Sequence, residues 1–169
     1  MGPRAEGTPN HRHDERQMKI RYAVESDAPM LADINRQLIE DEWEGGGMSL
    51  RGLEERMREW IAEGDYQAVL FEEGGETVAY ALVAVDEDSA FIRHFFVLHG
   101  DRGRGVGGRA VDLLLREVIP PTHRITLDVL ASNRAGHRFW RSVGFTDYAV
   151  RMERVPGAAV APPEQARGA

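Results

Sequence analysis

The chain contains no cysteine and no long run of apolar residues. Without thiols it can form neither a disulfide framework nor a thiolate metal site, which fits a cytoplasmic protein. Its apolar runs fall short of the ~20 residues that a membrane-spanning helix needs, so no membrane partner is expected. Lysine is also scarce, with Lys19 the only one, and the net charge is −7. This charge argues against general nucleic-acid binding, which requires a basic face.

The two ends of the sequence differ in composition from its centre. Residues 1–17 are polar and contain Gly, Pro, Arg and His, and residues 156–169 are small and Pro-rich. Both predict disordered tails that flank a single folded domain over residues 18–155. Met18 is an alternative start, so residues 1–17 need not belong to the native protein. His11 and His13 form a lone HxH pair in the first tail, and no metal site is predicted from it.

Apolar periodicity between the tails predicts the element order β-α-α-β-β-β-α-β-α-β. A hairpin region followed by a β-α-β unit indicates a mixed α/β fold, in which helices cover a mixed sheet. The predicted strands are 20–24, 66–71, 77–85, 90–98, 125–130 and 145–153. The predicted helices begin near Ser26 or Asp27, at Leu50, at Val106 and at Asn133.

A glycine-rich turn, Arg-Gly-Arg-Gly-Val-Gly-Gly at 102–108, lies between a predicted strand and a predicted helix. Glycine has no Cβ, so its backbone N–H can approach an anion closely. The start of a helix adds N–H groups without partners and the positive end of the helix dipole. Such a turn binds phosphate. The glycines alone fit a plain tight turn at a helix entry equally well.

The same glycines admit a dinucleotide-binding interpretation. Gly103, Gly105 and Gly108 satisfy G-x-G-x-x-G, and Asp128 follows 20 residues after the last of them. In that motif the first glycine abuts the strand, whereas four residues intervene here. A dinucleotide domain also needs several further β-α units, and the remaining chain is short. An NAD(P)-dependent reductase is therefore kept only as a remote alternative.

Two spaced motifs favour another family. Arg102, Gly105 and Gly107 follow the pattern R/Q-x-x-G-x-G/A after a strand. A second pattern has an Asn, an Ala two or three residues on, an aromatic residue at plus seven and Gly-Phe at plus eleven. It is matched by Asn133, Ala135, Trp140, Gly144 and Phe145. On these residues the sequence resembles the GCN5-related N-acetyltransferase (GNAT) superfamily over Met18 to Glu153. The resemblance implies a mixed, mostly antiparallel twisted sheet of six to seven strands with about four helices, an acyl-CoA N-acyltransferase-like fold.

The resemblance also implies acetyl-CoA as co-substrate. The backbone of the strand before the turn would pair with the pantetheine arm, and the N–H groups of the turn would hold the pyrophosphate. Asn133 would reach a pantetheine amide, although it can also simply cap a helix. The residues so implied for the strand and the turn are Phe95, Phe96, Val97, Arg102, Gly103, Arg104, Gly105, Val106, Gly107 and Gly108.

The implied chemistry is direct acetyl transfer to a primary amine of a small molecule or protein. Asp128 is the tentative base, because one branch of the family has Glu at this position; the alternative is a structural carboxylate bonded to a strand or an arginine. Trp140 stands where the family commonly has a Tyr acid, and indole cannot supply a proton. A CoA-binding module with little or no activity is therefore a second hypothesis. His94 and Tyr148 are weaker titratable candidates.

The acceptor is not identified by the motifs. The segment with Glu40, Asp41, Glu42 and Glu44 would border the acceptor cleft in this family. It suits a cationic amine, or it is a solvated charge run. The resemblance leaves a homodimer open.

Overall fold

The computed structural model describes residues 17–42, 47–154 and 156–157. The predicted tails, with His11 and His13, lie outside the described residues except for Gln17, Pro156 and Gly157, and so does Glu44. Within the described ranges, no helix has the length and apolar character required to cross a membrane.

One mixed sheet forms the centre of the fold. Its strands lie in chain order, and each of the first four pairs antiparallel with the next, whereas the last two are parallel. This confirms the mostly antiparallel mixed sheet. The strand number was wrong, since the described residues form five strands rather than six to seven. They are β1 (Lys19–Tyr22), β2 (Gln67–Glu73), β3 (Glu76–Val85), β4 (Ser89–Val97) and β5 (Arg124–Leu127).

Four α-helices cover the two faces of this sheet, namely α1 (Ala28–Glu42), α2 (Leu50–Glu63), α3 (Val106–Glu117) and α4 (Arg134–Ser142). Helices α1 and α2 pack on one face, where Leu31 and Met57 meet Leu70 and Leu82 of the sheet. Helix α3 covers the other face through apolar residues at helical spacing. Each face therefore has its own apolar core, and the sheet separates them.

Local sequence explains how α2 and the β2–β3 hairpin end. The Ser49 side chain accepts a hydrogen bond from the Gly52 N–H at the start of α2, and Gly64 ends the helix with φ +76°. Gly74 and Gly75 both have positive φ, of 62° and 84°. Two such residues form the tight turn whose twist matches that of the flanking strands. Both breaks occur where the sequence predicted them.

The predicted last strand, 145–153, is wrong: the described residues there form no strand, and β5 ends at Leu127. Tyr148, Val150 and Met152 alternate as in a strand, but they are exposed, the last two by 87% and 90%. The segment lies beside β5, since the Arg124 guanidinium carbon is 4.2 Å from the centre of the Tyr148 ring. Alternation indicates a strand only when one set of side chains has a core to enter, and here neither set has one.

A candidate active site

The far half of β4 has an open edge. Pairing with β5 stops at Ile92 and Leu127, whereas β4 continues to Val97. The backbone of this half of β4 therefore has one side free of a neighbouring strand in the described part of the chain. An extended chain can bind at such an edge through main-chain hydrogen bonds.

Only alternate residues of β4 present their backbone groups at this edge. The Leu98 N–H donates to the Val78 carbonyl, so Leu98 faces β3. In an antiparallel pair the backbone direction alternates, which turns Phe96 toward β3 as well. Phe95 and Val97 therefore face the open edge. Of the three residues expected to pair with a pantetheine arm through their backbone, Phe96 is not positioned to do so.

The side chains at this part of β4 belong to the two cores. Phe96 is buried on the side of α1 and α2. The Phe95 ring is stacked on Phe139, with 5.6 Å between ring centres, and its centre is 5.3 Å from that of Trp140. Trp140 in turn packs against Phe145. The aromatic residues of the second motif thus hold α4 against β4, next to the open edge.

The glycine turn presents free backbone donors at the start of α3. Gly103 and Gly105 have φ of 72° and 73°, a conformation that side chains disfavour. The first hydrogen bond of α3 runs from the Arg109 N–H to the Gly105 carbonyl, at 3.2 Å. In the described part of the chain, the N–H groups of residues 103–108 form no short, well-aligned hydrogen bond with a protein atom. They remain available to an anion.

Gly107 has a different role from the other glycines of the turn. A Cβ placed on it would lie 2.9 Å from Cε2 of Phe139 and 3.5 Å from Cγ2 of Val97. A Cβ on Gly108 would meet nothing within 4 Å. Gly107 therefore allows α3 to approach α4 and β4 closely, a packing requirement within the motif.

Both arginines of the turn form ion pairs with carboxylates. Arg102 donates from Nη2 to Asp41 at 2.6 Å and from Nε to the Val97 carbonyl at 3.0 Å. His99 Nε2 is 3.1 Å from the same carboxylate. Burial alone would raise the pKa of Asp41, but its hydrogen bonds with Arg102 and His99 outweigh this and lower it. Arg104 pairs with Asp101 at 2.8 Å.

Asn133 and Glu42 lie together in the cleft. Asn133 caps α4, because its Oδ1 accepts a hydrogen bond from the Gly136 N–H at 2.8 Å. Its side chain also lies near the carboxyl group of Glu42, the last residue of α1. Glu42 is exposed as a residue, but partial burial of its carboxyl group raises its pKa, the nearby Asn133 side chain opposes this, and the Asp41 charge raises it further. From the sequence, Glu42 was expected only as part of the acidic border, not as a titrating group of the site.

The predicted strand 125–130 had Asp128 in its middle, but in the structure Asp128 lies outside β5. It follows the last residue of β5, its side chain is 52% exposed, and it forms an ion pair with Arg151 at 2.7 Å. It borders the cleft together with Val129. Arg151 is the kind of partner expected for a structural carboxylate. The role of Asp128 as a base stays a prediction.

One cleft of about 890 Å³ brings these groups together. The open edge of β4, the glycine turn, Asn133, Asp128 and Trp140 all line it. Its other end is formed by α1, α2 and the start of the open edge of β4. There the cleft is lined by Asn35, Arg56, Arg93 and His94.

His94 faces α2 and the buried Tyr80, on the opposite side of β4 from Phe95 as expected. Its Nδ1 and the Tyr80 hydroxyl oxygen are 2.6 Å apart. Burial, with the charges of Arg93 and Arg56, lowers the pKa of His94 to about 3. The ring is therefore neutral at physiological pH. Tyr148 is exposed and does not line the cleft.

The expected acidic border is mostly neutralised. Asp41 binds Arg102 and His99, and Glu40 pairs with Arg36 at 2.6 Å. Of the described carboxylates in this segment, Glu42 alone lines the cleft without an arginine partner. A general attraction for cationic amines is therefore weaker than the sequence suggested.

Comparison with known proteins agrees with this geometry. The model of the Acetyltransferase (GNAT) family matches residues 32–145, more than half of the chain. The chain therefore belongs to the GNAT family of acetyltransferases. No curated protein sequence gives a significant match.

Solved structures share the fold at low sequence identity. A predicted acetyltransferase with acetyl-CoA from Clostridium acetobutylicum is 22% identical, with a TM-score of 0.64 over 82% of this chain and 96% of that one. A GCN5-related N-acetyltransferase from Ralstonia eutropha is 18% identical, with a TM-score of 0.61 over 83% and 100%. An acetyltransferase from Thermus thermophilus is 17% identical, with a TM-score of 0.66 over 76% and 86%. The GNAT-like fold is thus confirmed.

The dinucleotide alternative finds no support in this fold. After α3 the described residues provide only β5 and the short α4, whereas a dinucleotide domain needs several more β-α units. The match to G-x-G-x-x-G arises because Gly103, Gly105 and Gly108 serve the turn before α3.

Proposed function

We propose that the protein transfers the acetyl group of acetyl-CoA to a primary amine. The observation that carries this proposal is the continuity of two backbone surfaces in one cleft. The open edge of β4 at Phe95 and Val97 leads to the free N–H groups of the glycine turn. An extended amide-containing arm that ends in a diphosphate matches both surfaces. The Clostridium acetobutylicum protein of the same fold was solved with acetyl-CoA, which supports the same ligand.

In the proposed reaction, the amine nitrogen attacks the thioester carbonyl carbon, the new C–N bond forms, and the C–S bond breaks. Backbone N–H groups at the open edge of β4 stabilise the developing oxyanion. Holding the two reactants together lowers the activation barrier by roughly 7 kcal/mol or more. The amine must lose a proton, because an alkyl ammonium has a pKa near ~10.

Two carboxylates of the cleft compete for that proton. Asp128 occupies the position that the family resemblance assigns to a base, but its carboxylate is paired with Arg151. Glu42 has no arginine partner among the described residues, and its raised pKa lies closer to the working pH. Its carboxyl group lies near Asn133, the residue that the family resemblance assigns to the pantetheine arm. These observations favour Glu42.

Trp140 does not act as an acid in this proposal. It packs between Phe95 and Phe145, and its side chain lines the cleft. The departing thiolate resembles that of cysteine, with a pKa of about 8.5, so it can be protonated by water or by the proton that the attacking nitrogen loses as the amide forms. The second hypothesis, a CoA-binding module without turnover, is favoured by this same absence of a Tyr acid.

Binding and turnover assays test the proposal separately. Calorimetry with acetyl-CoA, and with NAD(P) as comparison, is expected to show binding of acetyl-CoA alone. Release of free thiol from acetyl-CoA is expected in the presence of primary amines. Binding without thiol release on any amine would favour the module without turnover, and absence of acetyl-CoA binding would end both hypotheses.

A further inference from the structure

The end of the cleft remote from the glycine turn contains cationic and polar groups that no described side chain neutralises. Arg56 of α2 lines the cleft, and its buried Nε has no hydrogen-bond partner in the described part of the chain. Among the described residues, no carboxylate pairs with it. Its neighbour on the same helix, Arg58, by contrast binds Glu54 and Glu25. A buried N–H of a charged group without a hydrogen-bond partner is costly, and a ligand in the cleft would supply that partner.

A second arginine approaches from the sheet. The register between β3 and β4 shifts so that Leu82 faces His94 and Val83 faces Ile92, which leaves Arg93 as an extra residue. Such an extra residue re-aims neighbouring side chains. Both Arg93 and His94 accordingly contact Trp60 of α2, with the guanidinium carbon 5.0 Å from the ring centre.

The positive charges of Arg56 and Arg93 lie against the same ring, so their electrostatic potentials add at this end of the cleft. The Arg56 guanidinium carbon also lies 5.0 Å from the Trp60 ring centre. Burial lowers the pKa of Arg56, and the charge of Arg93 lowers it further. Two cations that share one aromatic ring, with no carboxylate among the described residues bound to either, attract an anion.

Asn35 supplies an independent observation at the same place. Its side chain is fully buried, yet neither Oδ1 nor Nδ2 has a hydrogen-bond partner among the residues that the structure describes. It lines the cleft from α1, opposite the strand that carries Arg93. A buried amide left without partners costs free energy unless a ligand completes its hydrogen bonds. The amide can donate to an anion and accept from a ligand N–H.

The spacing of these groups suits one end of an acceptor. Along α1, Asn35 precedes Glu42 by seven residues, or about 10 Å. Along β4, Arg93 precedes Val97 by four residues, or about 13 Å. The polar end therefore lies beyond the region in which Glu42 and the open edge would hold the reacting groups.

We propose that Arg56, Arg93 and Asn35 form an anion subsite, and that the acceptor is a small amine that also carries a carboxylate. The carboxylate binds the two guanidinium groups while the amine reaches toward Glu42. The planar fork of arginine fits the two oxygens of a carboxylate. This inference rests on the proposed acetyl transfer, but the anion subsite itself can be tested without it.

The kinetic test compares amines that differ only in the anion. Thiol release is measured with 4-aminobutyrate against butylamine, lysine against cadaverine, and phosphoethanolamine against ethanolamine. We expect kcat/KM at least about tenfold higher for the carboxylated member of the first two pairs, as a charge-assisted bond predicts. Equal values within both carboxylate pairs would overturn the proposal, and a clear preference for the phosphate compound over the amino acids would overturn the assignment to carboxylate.

The variant test uses two arginines of one helix. Arg56→Gln is expected to abolish the preference for carboxylated amines while leaving KM for acetyl-CoA within about twofold. Arg58→Gln removes the same charge from the same helix but outside the cleft, and the preference is expected to persist. Loss of the preference in both variants, or in neither, contradicts the anion subsite.

Thermal unfolding of each variant verifies that it is folded. Should Arg56→Gln not fold, it is replaced by Arg56→Lys, which keeps the charge without the fork.

A binding test separates this inference from the proposed function. Calorimetry of the CoA-loaded protein compares N-acetyl-4-aminobutyrate with N-butylacetamide, neither of which needs turnover to bind. Tighter binding of the carboxylate that is lost in Arg56→Gln supports the subsite even if no amine is acetylated. Equal binding of the two compounds rejects the subsite even if amines are acetylated.

Discussion

The two ends of the cleft are built by different means. At the glycine turn the ligand-facing groups are backbone N–H groups of one short segment, residues 103–108. At the far end they are side chains of Asn35, Arg56 and Arg93, which come from α1, α2 and β4. A site made of backbone depends on glycines at fixed spacing. A site made of side chains can change by single substitutions, which suits the part that selects the acceptor.

The largest expected effect concerns the proposed base, Glu42, which lines the cleft from the end of α1. Removal of a general base lowers the rate by about 100-fold or more. We expect this loss of kcat in Glu42→Gln, with a flattened acid limb in the pH profile, because the raised pKa of Glu42 suits proton transfer. Asp128→Asn, which removes an exposed ion pair, is the matched comparison. A larger loss in Asp128→Asn would return the base to the position that the family resemblance assigns.

The next effect concerns the backbone end. Gly105→Asp places a carboxylate where an anion is expected, and also puts a side chain at φ +73°. We expect acetyl-CoA affinity to fall at least about tenfold by calorimetry, since like charges repel. Gly100→Asp adds the same charge nearby, with open space around its Cβ and outside the cleft. Unchanged affinity in Gly105→Asp, or an equal loss in both variants, would remove the glycine turn as the phosphate site.

A third effect concerns the side-chain end and its pH dependence. The folded-state pKa of His94 is about 3, below the ordinary value of 6.5. Below pH 6.5 the unfolded chain therefore binds a proton that the folded chain does not, and stability falls as the pH falls toward 3. The contribution is up to about 1.4 kcal/mol per pH unit. Urea unfolding of wild type and His94→Gln between pH 4 and pH 7 is expected to show a shallower slope in the variant; identical slopes would contradict the burial of a neutral His94.

The smallest effect is expected at the ion pair of the turn. Asp41→Asn breaks the pair with Arg102, and both side chains are partly exposed. Exposed ion pairs contribute between about 0 and 1 kcal/mol, so the free energy of unfolding is expected to change by less than that. Without Asp41, Arg102 carries an unneutralised charge beside the proposed phosphate site. Salt screens such a charge, so acetyl-CoA affinity is expected to change more at low salt than at high salt. A salt-independent change would indicate that Asp41 acts through packing instead.

The difference between the two ends also explains what could be predicted from the sequence. The turn, the start of α3 at Val106 and the cap at Asn133 depend on short-range spacing, and each lies where it was predicted. The far end depends on three distant segments, and no local pattern joins them. One indication was present, since Asn35 falls within the apolar stripe of Leu31, Ile34 and Leu38.

Arg56 gives the same indication on α2, where it lies beside Met57 in the stripe from Leu53 to Trp60. A polar residue on the buried face of a helix marks a group that needs a partner. The predicted strand at 145–153 failed for the opposite reason. Its alternation was present, but a strand also requires backbone partners and a core, which the sequence of that segment does not supply.

The contact of Trp60 with Arg56 and Arg93 gives this end of the cleft its own optical reporter. Indole fluorescence responds to charges near the ring, so an occupant that neutralises the guanidinium groups alters the emission of Trp60 without any added label. The chain has three tryptophans, and Trp140 adjoins the opposite end of the cleft. With Trp43 and Trp140 replaced by Phe, the remaining emission belongs to Trp60, and mixing experiments can then time the arrival of acceptor independently of co-substrate.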